Sequence, residues 1–150
     1  IGIHPSGTSL PNIQVHVDTG TNTNYNQNIT STYFASARQT LDTWTGLYYS
    51  SGEHQQNSDQ EFQKIAHGAG DENDDSSAVI LKLFAPASDT FVKHFTSVSQ
   101  MNHHNNSSYV LSSYAAGYIN TTDPITRIRF QFSAGNIDAG KISMYGVAKA

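Results

Sequence analysis

The sequence predicts an all-β chain folded as an antiparallel β-sandwich of jelly-roll type. Three observations lead there. Apolar residues alternate with polar ones in at least four short segments, which is the period of a half-buried strand. Turn-rich polar stretches separate those segments, as in sandwiches and barrels. No stretch shows a convincing helical period, and the charge of a helical protein is missing. Asp, Glu, Lys and Arg make up 13% of the chain, while Ser, Thr, Asn and Gln fill 53 of its 150 positions.

Taken in order, residues 1–11 read as an extended arm, with Ile1, Ile3, Pro5, Leu10 and Pro11 but no period. Residues 12–150 then form a single domain, the usual size for one core. Ile13, Val15 and Val17 alternate with Gln14 and His16 as the first strand. The polar segment Thr19–Ser31 is too long for a simple hairpin loop. Thr32–Ala37 and the aromatic-rich Trp44–Tyr49 follow as strands. After a second polar loop, Ser50–Gln60, the segment Glu61–Ala66 reads as a helical turn or two with Asp59 as N-cap. An acidic loop, Gly68–Ser77, leads to Ala78–Phe84. That run is apolar on both faces, the pattern of a central, doubly covered strand. Phe91–Val98 and Tyr109–Ile119 are further strands. Ile128, Phe130 and Phe132 then alternate with Arg127, Arg129 and Gln131. Gly135 and Asn136 turn the chain, and Ile142–Val147 returns, so that a closing hairpin carries Ile128, Phe130, Phe132, Ile142 and Met144 on its apolar face.

Composition narrows the chemistry. A net charge of −4 with only eight scattered Lys and Arg is no footprint for nucleic acid. No apolar run reaches the ~18–20 residues of a membrane-spanning helix, and Ile1–Pro5 lacks the pattern of a signal peptide. With no Cys there is neither a disulfide framework nor a thiolate site. Adjacent His103 and His104 would point to opposite faces of a strand. His16 and Asp18 share one face but lack a third ligand. Asp71, Glu72, Asn73, Asp74 and Asp75 have the oxygen density calcium prefers, without the order of an EF-hand loop, and read as a solvated turn. There is no Gly-x-Ser-x-Gly elbow or other ordered catalytic signature. The expectation is a non-enzyme with no catalytic, cofactor or metal residues. Tyr25, Trp44, Tyr48, Tyr49 and Tyr109 are available to stack on sugars, but such rings more often serve a core or a subunit contact. The sequons at Asn28, Asn105, Asn106 and Asn120 follow from the Asn, Ser and Thr content alone.

The segment Ile125–Val147 also resembles a family of tailed-bacteriophage structural proteins that end in I-x-x-I-R-F-x-F-S-x-G-N-I-x-x-G-x-I-x-L-Y-G-I. Met144 stands for Leu and Val147 for Ile. Ser77–Phe84, Pro86–Phe95 and Tyr109–Tyr118 fit the family's preceding strands, so the likeness covers roughly residues 77–147. It implies a jelly roll that assembles as a homotrimer. A chain this short leaves no room for a fibre shaft. The expected role is therefore a capsid decoration (cement) protein on the outer surface of the virion, bridging copies of the major capsid protein. The alternative is the terminal host-glycan-binding module of a tail fibre or spike. In the decoration role the arm Ile1–Pro11 and one or both of the loops Thr19–Ser31 and Ser50–Gln60 are expected to be ordered by neighbouring subunits or the shell.

Overall fold

The computed structural model describes residues 2–7, 10–39, 44–49, 52, 55–58, 61–67, 70, 72, 74–103 and 109–147. The described residues form eleven strands: β1 (His4–Pro5), β2 (Ile13–Thr19), β3 (Ile29–Gln39), β4 (Thr45–Tyr49), β5 (Gln56–Ser58), β6 (Gln63–Ala66), β7 (Ser77–Leu83), β8 (Lys93–His103), β9 (Tyr109–Ile119), β10 (Ile125–Phe132) and β11 (Ile137–Ala139). All pairings are antiparallel. A six-stranded sheet has the order β4-β3-β9-β8-β7, with β5 also on β3, and a three-stranded sheet has the order β10-β2-β6. The two pack face to face as a β-sandwich, as the alternation predicts.

The six-stranded sheet follows the two-residue period closely. Odd-numbered residues of β3, β8 and β9 face inward: Tyr33, Ala35 and Ala37, then Phe95 and Met101, then Leu111, Ala115 and Ile119. Val17, Ile125 and Ile128 of the smaller sheet close over them. A second cluster of Ile3, Ile13, Val15, Ile65, Ala66 and Phe132 continues the core. Three serines, Ser97, Ser99 and Ser113, are buried in the same inner wall. Ser97 Oγ donates to the Ile65 carbonyl at 3.1 Å, tying the two sheets together, and the Ser99 and Ser113 hydroxyls bond each other. Lys93, at the start of β8, is also fully buried. Its Nζ donates to the carbonyls of Phe91 (2.8 Å), Thr122 (3.0 Å) and Thr121 (3.2 Å).

Four expectations are corrected. Residues 63–66 are a strand, not a helical turn, because they pair with the open side of β2 and bury Ile65 and Ala66 in the core. Tertiary pairing overrides a weak local preference. The Ala78–Phe84 run is an edge strand rather than a central one: among the described residues β7 has β8 as its strand neighbour, and Ala78, Ile80 and Lys82 face outward. The closing hairpin is absent. Past the turn at Gly135 (φ 71°) the chain forms β11, which pairs with β1, and residues 140–147 form no strand. Finally, the described part of the arm is ordered by its own body. Ile3 and Ser77 exchange N–H···O bonds at 3.0 and 3.1 Å, the Ser6 N–H donates to the Asn136 carbonyl, and Ile3, Pro5 and Pro11 are buried.

Candidate functional site

Strand register builds the main surface feature. Directly opposed residues share a face of a sheet. Tyr49 opposes Phe34, Phe34 opposes Tyr114, Tyr114 opposes Val98, and Val98 opposes Ile80. These five side chains therefore form one row across β4, β3, β9, β8 and β7 on the outer face. At about 4.8 Å per strand the row runs for about 19 Å. Each member is between 40% and 65% exposed. Leu47, Ser36, Ser112, Gln100 and Ala78 flank it on one side and Thr32, Ala116, Thr96 and Lys82 on the other, all small or polar except the exposed Leu47 of β4. An apolar stripe of this length is a candidate contact surface. The Phe34 and Tyr114 rings stack on each other, with centroids 4.9 Å apart and planes at 14°, so one face of each is already covered.

A second exposed apolar element lies beyond Gly140. Ile142, Met144, Tyr145 and Val147 are 53–95% exposed.

The candidates named from sequence fall elsewhere. His16 and Asp18 do share one face of β2, but both are buried beneath the Thr19–Asn28 loop and Phe62. His16 Nδ1 accepts from the Val17 N–H, and its ring lies 5.1 Å from that of Phe62. Arg129 sits over the rings of Phe62 and Tyr25, away from the core, while Arg127 donates to the carbonyls of Gly20 and Asn22. Asp18 is the hub of its loop. It accepts from the N–H groups of Thr19 (3.0 Å) and Tyr25 (2.9 Å) and from the side-chain amides of Asn22 (2.8 Å) and Gln27 (3.3 Å). Those donors make the carboxylate the anchor of the turn. Burial pushes the Asp18 carboxyl up, but the N–H donors of Tyr25 and Thr19 and the amides of Gln27 and Asn22 outweigh it, and the net shift is downward.

Asp18 therefore predicts a pH dependence. A carboxyl held below its ordinary value stabilises the fold fully above pH 3.8. That contribution is lost as pH falls through the lower folded value. Asp18→Asn should weaken the acid-limb dependence by the part Asp18 contributes and cost about 2–3 kcal/mol at pH 7, since hydrogen bonds to a charged group are each worth about 1.5–3 kcal/mol. Urea midpoints of both proteins at pH 3 and pH 7 check this.

In the acidic loop Asp75 is buried and accepts from the Asn102 side-chain amide at 3.0 Å, while Asn102 Oδ1 accepts from the Ser76 N–H. Burial, then the nearby Asp75 carboxylate, raise the Tyr109 phenol. Asp74 is exposed. Asp59, Asp71, Asn73, His104, Asn105 and Asn106 lie outside the described residues. Among those described, no three His, Asp or Glu side chains gather as a metal site, and no helix is long and apolar enough to cross a membrane. Of the aromatic candidates, Trp44 and Tyr49 are exposed, Tyr25 covers Phe62, and Tyr109 packs against the core.

No protein-family model, no curated protein and no solved structure matches this chain.

Proposed function

We propose that the chain is a structural protein of a bacteriophage virion, acting as a homotrimeric decoration protein that binds the assembled shell of the major capsid protein. The outer-face row Tyr49–Phe34–Tyr114–Val98–Ile80 carries this reading. It is a narrow apolar stripe across five strands of a charge-poor sandwich, which suits docking to a protein lattice. The motif in Ile125–Val147 supplies the virion context by resemblance. Two nested pairings, β2 with β10 and β3 with β9, support a jelly-roll reading of the sandwich, beside the β7-β8-β9 meander. Glycan binding at a fibre tip needs free ring faces, and the mutual stacking of Phe34 and Tyr114 covers one face of each.

A decoration protein stabilises the shell by binding the assembled lattice better than free subunits. Immunogold labelling of particles tests the reading: labelling across the head supports it, and labelling confined to the tail tip replaces it with the fibre reading. Val98→Lys, at the centre of the row, should leave the fold within about 0.5 kcal/mol of wild type, as exposed substitutions do. It should nevertheless strip the protein from particles. Copies per particle on gels, beside a melting curve of the isolated variant, give both numbers.

A further inference from the structure

Not one of the chain's twelve carboxylates lies in β4, β3, β9, β8 or β7, the strands that carry the outer row. Among the described residues, the outward positions of these strands bear two Lys or Arg side chains, Arg38 and Lys82, both exposed. All twelve acids therefore belong to the rest of the chain, where they outnumber six Lys and Arg. The outer face is opposite in sign to the remainder of the protein. Along β3 the order outward is Phe34 in the row, then Ser36, then Arg38, whereas Lys82 flanks Ile80 on the row's other side. The two cations thus stand on opposite flanks of the row.

Register also hollows the face next to the row. Arg38 opposes Thr45 and Val110, and Ser36 opposes Leu47 and Ser112. These six residues line an open cleft of about 490 Å³. Ser36 and Ser112 are short and half-buried, while Arg38, Val110 and Leu47 stand exposed around them. Among the described residues nothing hydrogen-bonds the hydroxyls of Ser36, Thr45 or Ser112. Arg38 already interacts within its own chain, and its five N–H donors can serve more than one acceptor. A guanidinium with three hydroxyls, in strands without a carboxylate, selects for an acidic group, which Arg grips with its planar fork. One acidic side chain would not fill the cleft, so the occupant is a loop that carries it.

We propose that this cleft receives an acidic loop of the major capsid protein, with its Asp or Glu on Arg38 and its backbone on the three hydroxyls, and that Lys82 meets a second carboxylate across the row. Charge complementarity selects this occupant. Continuity supports it, because Ser36 and Ser112 directly flank Phe34 and Tyr114, so one partner surface covers both row and cleft. The apolar row supplies contact, and the cations choose the partner and its orientation, since complementary charge governs specificity and rate of approach more than raw affinity. The inference rests on the docking reading above and names the chemistry of the partner.

The test uses particles assembled without this protein. The wild-type chain should bind them, more weakly as sodium chloride is raised. Arg38→Glu should weaken binding by at least about tenfold. Ser112→Leu, which fills the cleft without changing charge, should weaken it too. Lys141→Glu, the same change of charge outside these strands, should leave it unchanged. Melting curves of the isolated variants check that each is folded. Carbodiimide, which joins amines to carboxylates, should link Lys82 and the amine introduced by Arg38→Lys to Asp or Glu of the capsid protein, mapped by mass spectrometry. Arg38→Glu bound as tightly as wild type overturns the cleft and leaves the docking reading standing. Links that end instead on carboxylates of a second copy of this chain overturn the capsid loop as occupant. A wild-type chain that does not bind the particles overturns the docking reading and this inference with it.

Discussion

Replacing Lys93 by Met should lower the stability of this domain by about 3 kcal/mol. Lys93 lies on the inner face of β8, where the neighbouring odd positions hold Phe95, Ser97, Ser99 and Met101. Its aliphatic stem packs as a core residue would, and its three N–H donors meet the carbonyls of Phe91, Thr121 and Thr122. Phe91 lies in the approach to β8, and Thr121 and Thr122 in the connection from β9 to β10, so one amine ties two chain segments across the end of the sandwich. Met keeps the volume and removes every donor. Phe91 and Thr122 are exposed and Thr121 half-buried, so water replaces part of the lost bonding, and each acceptor left without a partner costs about 1 kcal/mol, the low end of the range. For a chain of this size the melting temperature should fall by about 6–12 °C, at about 2–4 °C per kcal/mol. Lys93→Arg keeps donors but not the shape, and should recover only part of the loss. A Met variant that melts with wild type would show that the carbonyls are satisfied without the amine.

Gly117→Ala should be comparably damaging for the opposite reason, an atom added instead of bonds removed. Gly117 sits in β9 between Ser31 of β3 and Phe95 of β8. A Cβ there would overlap the Thr30 carbonyl oxygen and lie 2.7 Å from Ser31 Cβ and 2.8 Å from Ser31 Cα. Two of these three are backbone atoms, so no rotamer change relieves the contact. Overpacking typically costs about 1–3 kcal/mol, and a clash against a paired strand belongs at the upper end. The paired strands β3 and β9 would have to separate locally, so exchange at the Thr30 and Tyr118 amides, which bond across that gap, should rise together with the fall in melting temperature. Gly146, where an added Cβ meets nothing within 4 Å, is the control: Gly146→Ala should leave the melting temperature unchanged.

The two-residue period was legible wherever one face of a strand meets the core and the other meets polar surroundings. Ile13, Val15 and Val17, and later Ile128, Phe130 and Phe132, occupy the core positions their spacing assigns. Position within a sheet was not legible. The two apolar faces of β7 describe an interior strand, while pairing places it at the edge with Ile80 exposed. Residues 63–66 look polar at Gln63 and Lys64, and their strand state comes from pairing with β2, some fifty residues earlier. The outer row was out of reach for the same reason. Phe34, Tyr49, Ile80, Val98 and Tyr114 are each a single residue on the solvent side of its strand, and only the register of four pairings aligns them. Lys93 gave no signal, because its partners are backbone carbonyls whose positions depend on the fold.

The serine-lined inner wall has a consequence for heat capacity. Ser97, Ser99 and Ser113 stand with Ala35, Ala37 and Ala115 where many sandwiches place larger apolar side chains. Unfolding therefore exposes less hydrocarbon and more hydroxyl than a wall of Leu and Phe would. Apolar exposure raises the heat capacity of the unfolded chain and polar exposure lowers it. The increment should fall below the usual ~12–15 cal/mol/K per residue, which flattens the curve of stability against temperature. A flatter curve moves cold denaturation further down the scale and lets the domain hold much the same stability from chilled to warm surroundings.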